Sequence, residues 1–179
     1  MSNIAIIKEG ALLRRMERAD LDMVRSWRNH LNVRRYMYTQ HEISYNEHSE
    51  WFSRQSIDDT KHLLIFEYND QSKGYLQLST HGRTPIADWG FYLAPESEKG
   101  IGRKLGDIAL EYSFNNLKLH KLCGEALAFN DKSIGFHKRL GFRQEGCLKD
   151  QHFDGRVFHD VYLFGLLIQD WIINRSKND

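Results

Sequence analysis

Cysteine is scarce in this chain: Cys123 and Cys147 are the only two, at a spacing that suits neither a zinc site nor a disulfide framework. A disulfide-stapled scaffold is excluded, and both thiols are expected to be reduced, small hydrophobes. Nine histidines are present, but none fall in an H-x-x-x-H or H-E-x-x-H pairing, so no metal ligands are expected. Charge of one sign is also lacking: 25 Lys and Arg face 24 Asp and Glu, a net +1, which leaves no basic footprint for nucleic acid. Long apolar runs are missing too. The N-terminal run Ile4 to Ile7 stops at Lys8 and Glu9, too short for a leader or a membrane span, and a cytoplasmic protein is expected. With no repeat and no low-complexity linker, 179 residues at 41% hydrophobic content read as one domain over 1–179 with one core.

What is present centres on Glu98-Lys99-Gly100-Ile101-Gly102-Arg103-Lys104. It follows a strand-like run, Ala87 to Leu93, and opens a long amphipathic segment. Backbone amides at a glycine turn, added to the orphan donors of a helix N-terminus, suit a phosphate or pyrophosphate. A tight turn with nothing bound is the other reading. The stretch has neither the Gly-Lys-Ser/Thr ending of a nucleoside-triphosphate loop nor the spacing of a dinucleotide fold.

Around it the pattern gives an α+β order. Ala11 to Met16 reads as a strand; Asp20 is placed to cap a helix carrying Leu21, Val24, Trp27 and Leu31. Arg34, Arg35, Tyr36, Met37 and Tyr38 mix cations with rings, as a helix surface or as the wall of a site. Ser44-x-x-Glu47 has the form of a capping box, and its helix contains His48, Trp51 and Phe52. His62 to Tyr68, Tyr75 to Thr80 and Ala87 to Leu93 form an antiparallel meander with a bulge expected at Gly90. Leu105, Ile108, Ala109, Tyr112 and Leu117 mark the central helix. Lys121 to Phe129 is the next strand, Asn130 caps a short helix to Leu140, and Gly141 ends it. Gln144 to Phe153 and Val157 to Leu166 form a hairpin across Asp154-Gly155. The run Leu166 to Ile173, with Trp171, reads as core or a dimer contact, which leaves monomer and homodimer open.

This order, with two motifs, resembles the GCN5-related N-acetyltransferase superfamily over almost the whole chain. Ser97 to Gly102 is similar to its pyrophosphate loop, Q/R-x-x-G-x-G/A, with Ser97 departing from the usual Gln or Arg. Asn130-Asp131-Lys132-Ser133 through Phe136-His137-Lys138-Arg139-Leu140-Gly141-Phe142 is similar to its N-x-x-S/A…YxKxGF segment. The resemblance implies a mixed, mostly antiparallel sheet of about seven strands flanked by helices and splayed at an acetyl-CoA cleft. It also implies acetyl-CoA as cosubstrate, its pyrophosphate on Glu98, Lys99, Gly100, Ile101, Gly102 and Arg103, with Lys104 beside them. The pantetheine arm would pair with Tyr92 and Leu93, and Asn130, Ser133 and Phe136 would complete the coenzyme site.

The family's tyrosine, which returns a proton to the departing thiolate, is replaced here by His137. A histidine near pKa 6.5 can serve a thiolate near 8.5, which makes His137 the preferred acid; the alternative is that His137 merely packs and a neighbouring tyrosine or water does the work. Glu125, flanked at period two by Cys123 and Leu127, is the candidate base for the attacking amine, or else a half-exposed sheet residue. Cys123 is not needed as an acyl carrier.

Trp27-Arg28-Asn29 together with Ser44-x-x-Glu47-His48-x-x-Trp51-Phe52 resembles a branch with ribosomal-protein N-terminal acetyltransferases and, more closely, nucleotide-sugar acetyltransferases of pseudaminic acid synthesis, which serve surface or flagellin glycosylation. The resemblance places His48 near the sugar as a catalytic candidate, and offers Arg28, His48 and Tyr92 as substrate-binding residues for a UDP-linked 4-amino-6-deoxy sugar. A protein N-terminus or another small amine is the alternative acceptor; a polyamine would call for an acidic cleft. A non-catalytic coenzyme-binding module is the third reading, with no nucleic acid and no membrane in any of them.

Overall fold

A computed structural model describes residues 4–176. Its scaffold is an eight-stranded sheet in the order β1-β2-β3-β4-β5-β6-β8-β7. The strands are β1 (Ile4–Lys8), β2 (Ala11–Arg15), β3 (Lys61–Tyr68), β4 (Gln71–Thr80), β5 (Ile86–Leu93), β6 (Lys121–Leu127), β7 (Arg143–Phe153) and β8 (Phe158–Leu167). The helices are α1 (Leu21–Asn29), α2 (Leu31–Arg34), α3 (Tyr45–Gln55), α4 (Ile101–Glu111), α5 (Asp131–Arg139) and α6 (Ile168–Ser176).

Seven strands were expected and eight are found. The extra one is the short run Ile4 to Ile7, which turns at Glu9-Gly10 and pairs antiparallel with β2 from Lys8↔Ala11. Five residues with no strict alternation carry little signal; the partner strand is what orders them. The bulge expected at Gly90 is also absent, because β4 and β5 pair without a register shift from Gly74↔Leu93 to Thr80↔Ala87. The irregularity lies on the other side of β5. There β5 and β6 run parallel and pair only through Ile86↔Lys121, Ala87↔Leu122 and Asp88↔Cys123, after which the strands part.

Local signals held unevenly. Asp20 does not cap α1 with its side chain; its carboxylate accepts from both Arg14 guanidinium nitrogens at 2.7 and 2.8 Å, and from the Glu17 amide at 2.8 Å. That Arg14 pair holds the Asp20 carboxyl below its usual range against the opposing effect of burial. The helix drawn through Leu31 breaks at His30, whose extended backbone caps α2 through its Nδ1. Ser44 does cap α3, accepting the Glu47 amide at 3.2 Å, while the Glu47 carboxylate goes to His41 rather than closing the box. The Asn130 side chain caps α5 by accepting the Ser133 amide, and Gly141, at φ +93°, ends it. After Glu111 the central helix loosens into π-helical turns over Tyr112–Asn116.

The core lies between the sheet and α4, α5 and α6. Leu105, Ile108 and Ala109 of α4 meet Leu64, Phe66, Leu76 and Leu78 of the sheet. Trp171 of α6 is buried against Phe114, so the C-terminal run is core at that residue. A second, smaller cluster of Leu21, Val24, Phe52, Leu63, Ile65 and Tyr75 fastens α1 and α3 to the opposite face. Among the described residues no helix is long and apolar enough to cross a membrane.

Candidate active site

The parting of β5 from β6 opens a cleft of about 730 Å³. β5 contributes Asp88, Trp89, Gly90, Phe91 and Tyr92, and β6 contributes Gly124, Glu125, Ala126 and Leu127. Arg28 of α1, His48 and Trp51 of α3 and the segment Tyr36 to Thr39 close one side; Asn130, Ser133 and His137 close the other. The cleft thus gathers Arg28, His48, Tyr92, Glu125, Asn130, Ser133 and His137. Leu93, Glu98, Lys99, Gly100, Ile101, Gly102, Arg103, Lys104 and Phe136 lie outside its lining.

Past Asp88, β5 has no strand on its β6 side. An extended arm can therefore pair along this edge as an added strand, and the turn at its end offers backbone amides to an anion. Gly100 adopts φ +99° as the cap of α4, a conformation that favours glycine. The backbone amides of Lys99, Gly100 and Gly102 have no backbone partner among the described residues. Arg103 and Lys104 were expected to reinforce this turn, but Arg103 bonds Asp107 at 2.8 Å and the Arg139 carbonyl, while Lys104 lies 5.7 Å above the Tyr68 ring. Glu98 takes the Lys73 ammonium at 3.2 Å. The free amides at a helix N-terminus fit a pyrophosphate, and the open strand edge fits its pantetheine arm.

The floor of the cleft is a buried pair. The Trp89 indole N–H donates to His137 Nε2 at 3.0 Å. His137 Nδ1 then carries the ring proton and donates it to the Ser133 carbonyl at 2.8 Å. The ring is 1% exposed, stacks on Phe164 at 4.7 Å, and burial lowers its pKa, so it is neutral near pH 7. His137 therefore enters the cleft with both nitrogens engaged. Gly124 makes this pair possible: a Cβ there would sit 2.5 Å from both bonded nitrogens.

Glu125 is exposed on the cleft side of β6, in place of the apolar setting its neighbours suggested. The Tyr38 hydroxyl donates to it at 2.6 Å. Burial, with the carboxylate as a further cause, pushes the Tyr38 phenol well above its usual range, which keeps it a donor. Nothing local flags this pair, since 87 residues separate its members; the ring-and-cation stretch containing Tyr38 was the only hint.

On the opposite wall His48 is buried and stacked on Trp51 at 5.0 Å; Trp51 meets Tyr75, and Tyr75 meets Tyr92 at 5.2 Å. Burial lowers the His48 pKa, and its Nδ1 has no hydrogen-bond partner. Arg28 donates through Nη2 to the Thr39 carbonyl at 2.8 Å, but its Nη1 is buried without a partner. No group of three or more His, Cys, Asp or Glu suited to a metal occurs among the described residues.

Comparison with known proteins agrees with this geometry. Vibrio cholerae spermidine N(1)-acetyltransferase is 29% identical over 170 residues, covering 92% of this chain and 96% of the relative. Campylobacter jejuni acetyltransferase PseH is 24% identical over 123 residues, covering 69% and 76%. The crystal structure of the V. cholerae spermidine N-acetyltransferase in complex with CoA and spermine superposes with a TM-score of 0.83 at 27% identity, covering 91% of this chain and 98% of that one. The model of the acetyltransferase (GNAT) domain matches residues 11–143. The chain belongs to the GNAT family of acetyl-CoA-dependent N-acetyltransferases.

Proposed function

We propose that the acceptor is an amino sugar linked to a nucleoside diphosphate, a UDP-linked 4-amino-6-deoxy sugar, acetylated on its amine by direct transfer. The observation that carries this reading is Arg28. A half-buried guanidinium with no carboxylate partner and one orphaned N–H is costly to keep unless a ligand completes it. A diphosphate or sugar oxygen does so; an ammonium group is repelled. The row His48, Trp51, Tyr75 and Tyr92 adds the aromatic wall that a sugar or base face requires.

Bound acetyl-CoA supplies a thioester carbonyl open to attack by a neutral amine. Glu125 is the residue in the cleft fitted to take the amine's proton, directly or through water, and Tyr38 orients it. His137, offered by sequence as the acid, would have to release Trp89 or the Ser133 carbonyl before it could give a proton. We assign it instead to holding Trp89 and the cleft floor in place.

A polyamine acceptor is the second reading. It is favoured by three carboxylates in the cleft lining, Glu47, Asp88 and Glu125, and by the likeness to the V. cholerae spermidine N-acetyltransferase, whose structure holds spermine. Each carboxylate already has a partner, however: His41, His81 and Tyr38 respectively. The test is thiol release from acetyl-CoA with the UDP-4-amino sugar, spermidine and a ribosomal-protein N-terminal peptide in parallel. Release with the sugar alone supports the proposal. Release with spermidine or the peptide alone replaces it.

A further inference from the structure

The β7–β8 hairpin carries a buried polar ring that the cleft does not use. β7 is an edge strand of the sheet and almost entirely exposed, yet His152 near its end is 7% exposed. A bulge sets its place. Between Leu148↔Val161 and His152↔His159, β7 advances four residues while β8 advances two. The surplus folds at Asp150, which takes φ +48°, and Asp160 of β8 pins it by accepting from the Lys149 ammonium at 2.7 Å and the Asp150 amide at 3.0 Å. Bulges of this kind re-aim a side chain, and the one re-aimed here is His152.

It is aimed at the segment between α2 and α3. The Tyr38 and His152 rings meet edge to face with centroids 5.3 Å apart, and Gln40 Nε2 lies 3.5 Å from His152 Nε2. Two residues before Tyr38, Tyr36 stacks at 6.1 Å on Phe129, which meets His159 at 4.5 Å. His159 stacks beside His152 at 6.4 Å and is itself fixed by Asp154 of the hairpin turn at 2.7 Å. Tyr36, Tyr38 and Gln40 therefore rest on the hairpin and on Phe129. Arg28 and Asn29 of α1 hold the same segment at Thr39 and Ile43. Tyr38 needs this seat, because its ring is 54% exposed and the one ring it meets among the described residues is His152. Its hydroxyl is the donor to Glu125 at 2.6 Å. His152 is outside the cleft lining, so what it does for the reaction it does through Tyr38.

We propose that His152 is a positioning residue for the transfer: by seating Tyr38 it fixes the hydroxyl that orients the Glu125 carboxylate, so that the bulge in β7 sets the geometry of proton removal from the acceptor amine. The proposal rests on Glu125 as the base and is independent of which amine is acetylated. A loose hydroxyl leaves the carboxylate free to turn from the amine, and a displacement of about 1 Å caused far from the chemistry can cost about 10²-fold in rate.

The experiment is a double-mutant cycle on thiol release from acetyl-CoA, run with whichever of the three acceptors named above is turned over fastest. The proteins are the wild type, His152→Ala, Tyr38→Phe and the double variant. His152→Ala is expected to lower kcat roughly tenfold with the KM for acetyl-CoA unchanged, and to change kcat by less than about twofold in the Tyr38→Phe background. If His152→Ala slows both backgrounds by the same factor, or leaves kcat within about twofold of wild type, the assignment is overturned while Glu125 keeps its role. Wild-type rates in both Tyr38→Phe and Glu125→Gln would remove the base itself, and a chain that turns over none of the three acceptors has no base to position; the inference falls in either case. Because His152 is buried, melting curves accompany the kinetics. Should His152→Ala be unfolded at the assay temperature, Asp160→Ala, which releases the bulge without touching the His152 ring, is read in its place by the same cycle.

Discussion

Gly124→Ala tests whether the floor of the cleft is as tightly determined as its geometry implies. The added methyl would lie 2.5 Å from both Trp89 Nε1 and His137 Nε2, and 3.0 Å from His137 Cδ2. Ordinary contact needs roughly 1 Å more, and neither ring has room to retreat. Trp89 stacks on Phe142 at 5.1 Å and His137 on Phe164 at 4.7 Å, all four rings buried. Overpacking of this kind costs about 1–3 kcal/mol, and separating the pair leaves a buried indole N–H without an acceptor for about 1–3 kcal/mol more. In a chain of this size each kcal/mol corresponds to about 2–4 °C, so the combined cost of about 2–6 kcal/mol should lower melting by roughly 4–24 °C in a calorimetric scan. Gly90→Ala is the internal control: the same change on the neighbouring strand meets nothing within 4 Å and should melt within about 2 °C of wild type. If Gly124→Ala melts as high as the control, the tight fit of Trp89, His137 and Gly124 is not what orders the cleft floor.

Glu125→Gln should lower kcat by about 10²–10⁴ with little change in coenzyme affinity, and Tyr38→Phe should have a smaller effect of the same kind; steady-state rates within twofold of wild type would return the pair to a structural role. Arg28→Gln is expected to raise the acceptor KM about 10- to 100-fold while leaving the KM for acetyl-CoA unchanged, and a lower KM with spermidine in that variant would favour the polyamine reading. Stability should decline as pH falls below about 6.5. Burial lowers the pKa of His48, His62 and His137, so the folded rings stay neutral where the unfolded chain takes up protons, and the stabilisation present above pH 6.5 is lost on the acid side. A melting temperature flat between pH 8 and 5 would contradict this.

What was readable in advance follows from interaction range. Caps at Ser44 and Asn130, the αL glycines at 100 and 141 and the turn at Asp154-Gly155 depend on neighbours within a few residues, and the residue types declare them. Asp20 looked like a cap for the same reason, but a bidentate arginine six residues back claimed its carboxylate. The pairs that define the cleft join distant strands: Trp89 with His137, Tyr38 with Glu125. Their spacing of 48 and 87 residues leaves no periodic trace. His137 shows the limit most plainly, since its alignment with a proton-donating tyrosine was legible while the two hydrogen bonds that occupy it were not. Gly90 drew attention as an odd strand glycine, yet Gly124 is the one whose missing Cβ the floor requires.

The fork between β5 and β6 has a mechanical meaning as well as a chemical one. Three residue pairs are all that join the five strands β1 to β5 to the three strands β6, β8 and β7 within the sheet. An extended ligand arm bound along the open edge of β5 would act as a removable splint beside that seam. A ligand that binds there only when the sheet is folded stabilises it by mass action, by about 2.7 kcal/mol at a hundredfold excess over Kd. The resistance of this domain to heat and proteolysis thus becomes a reporter of the coenzyme concentration around it.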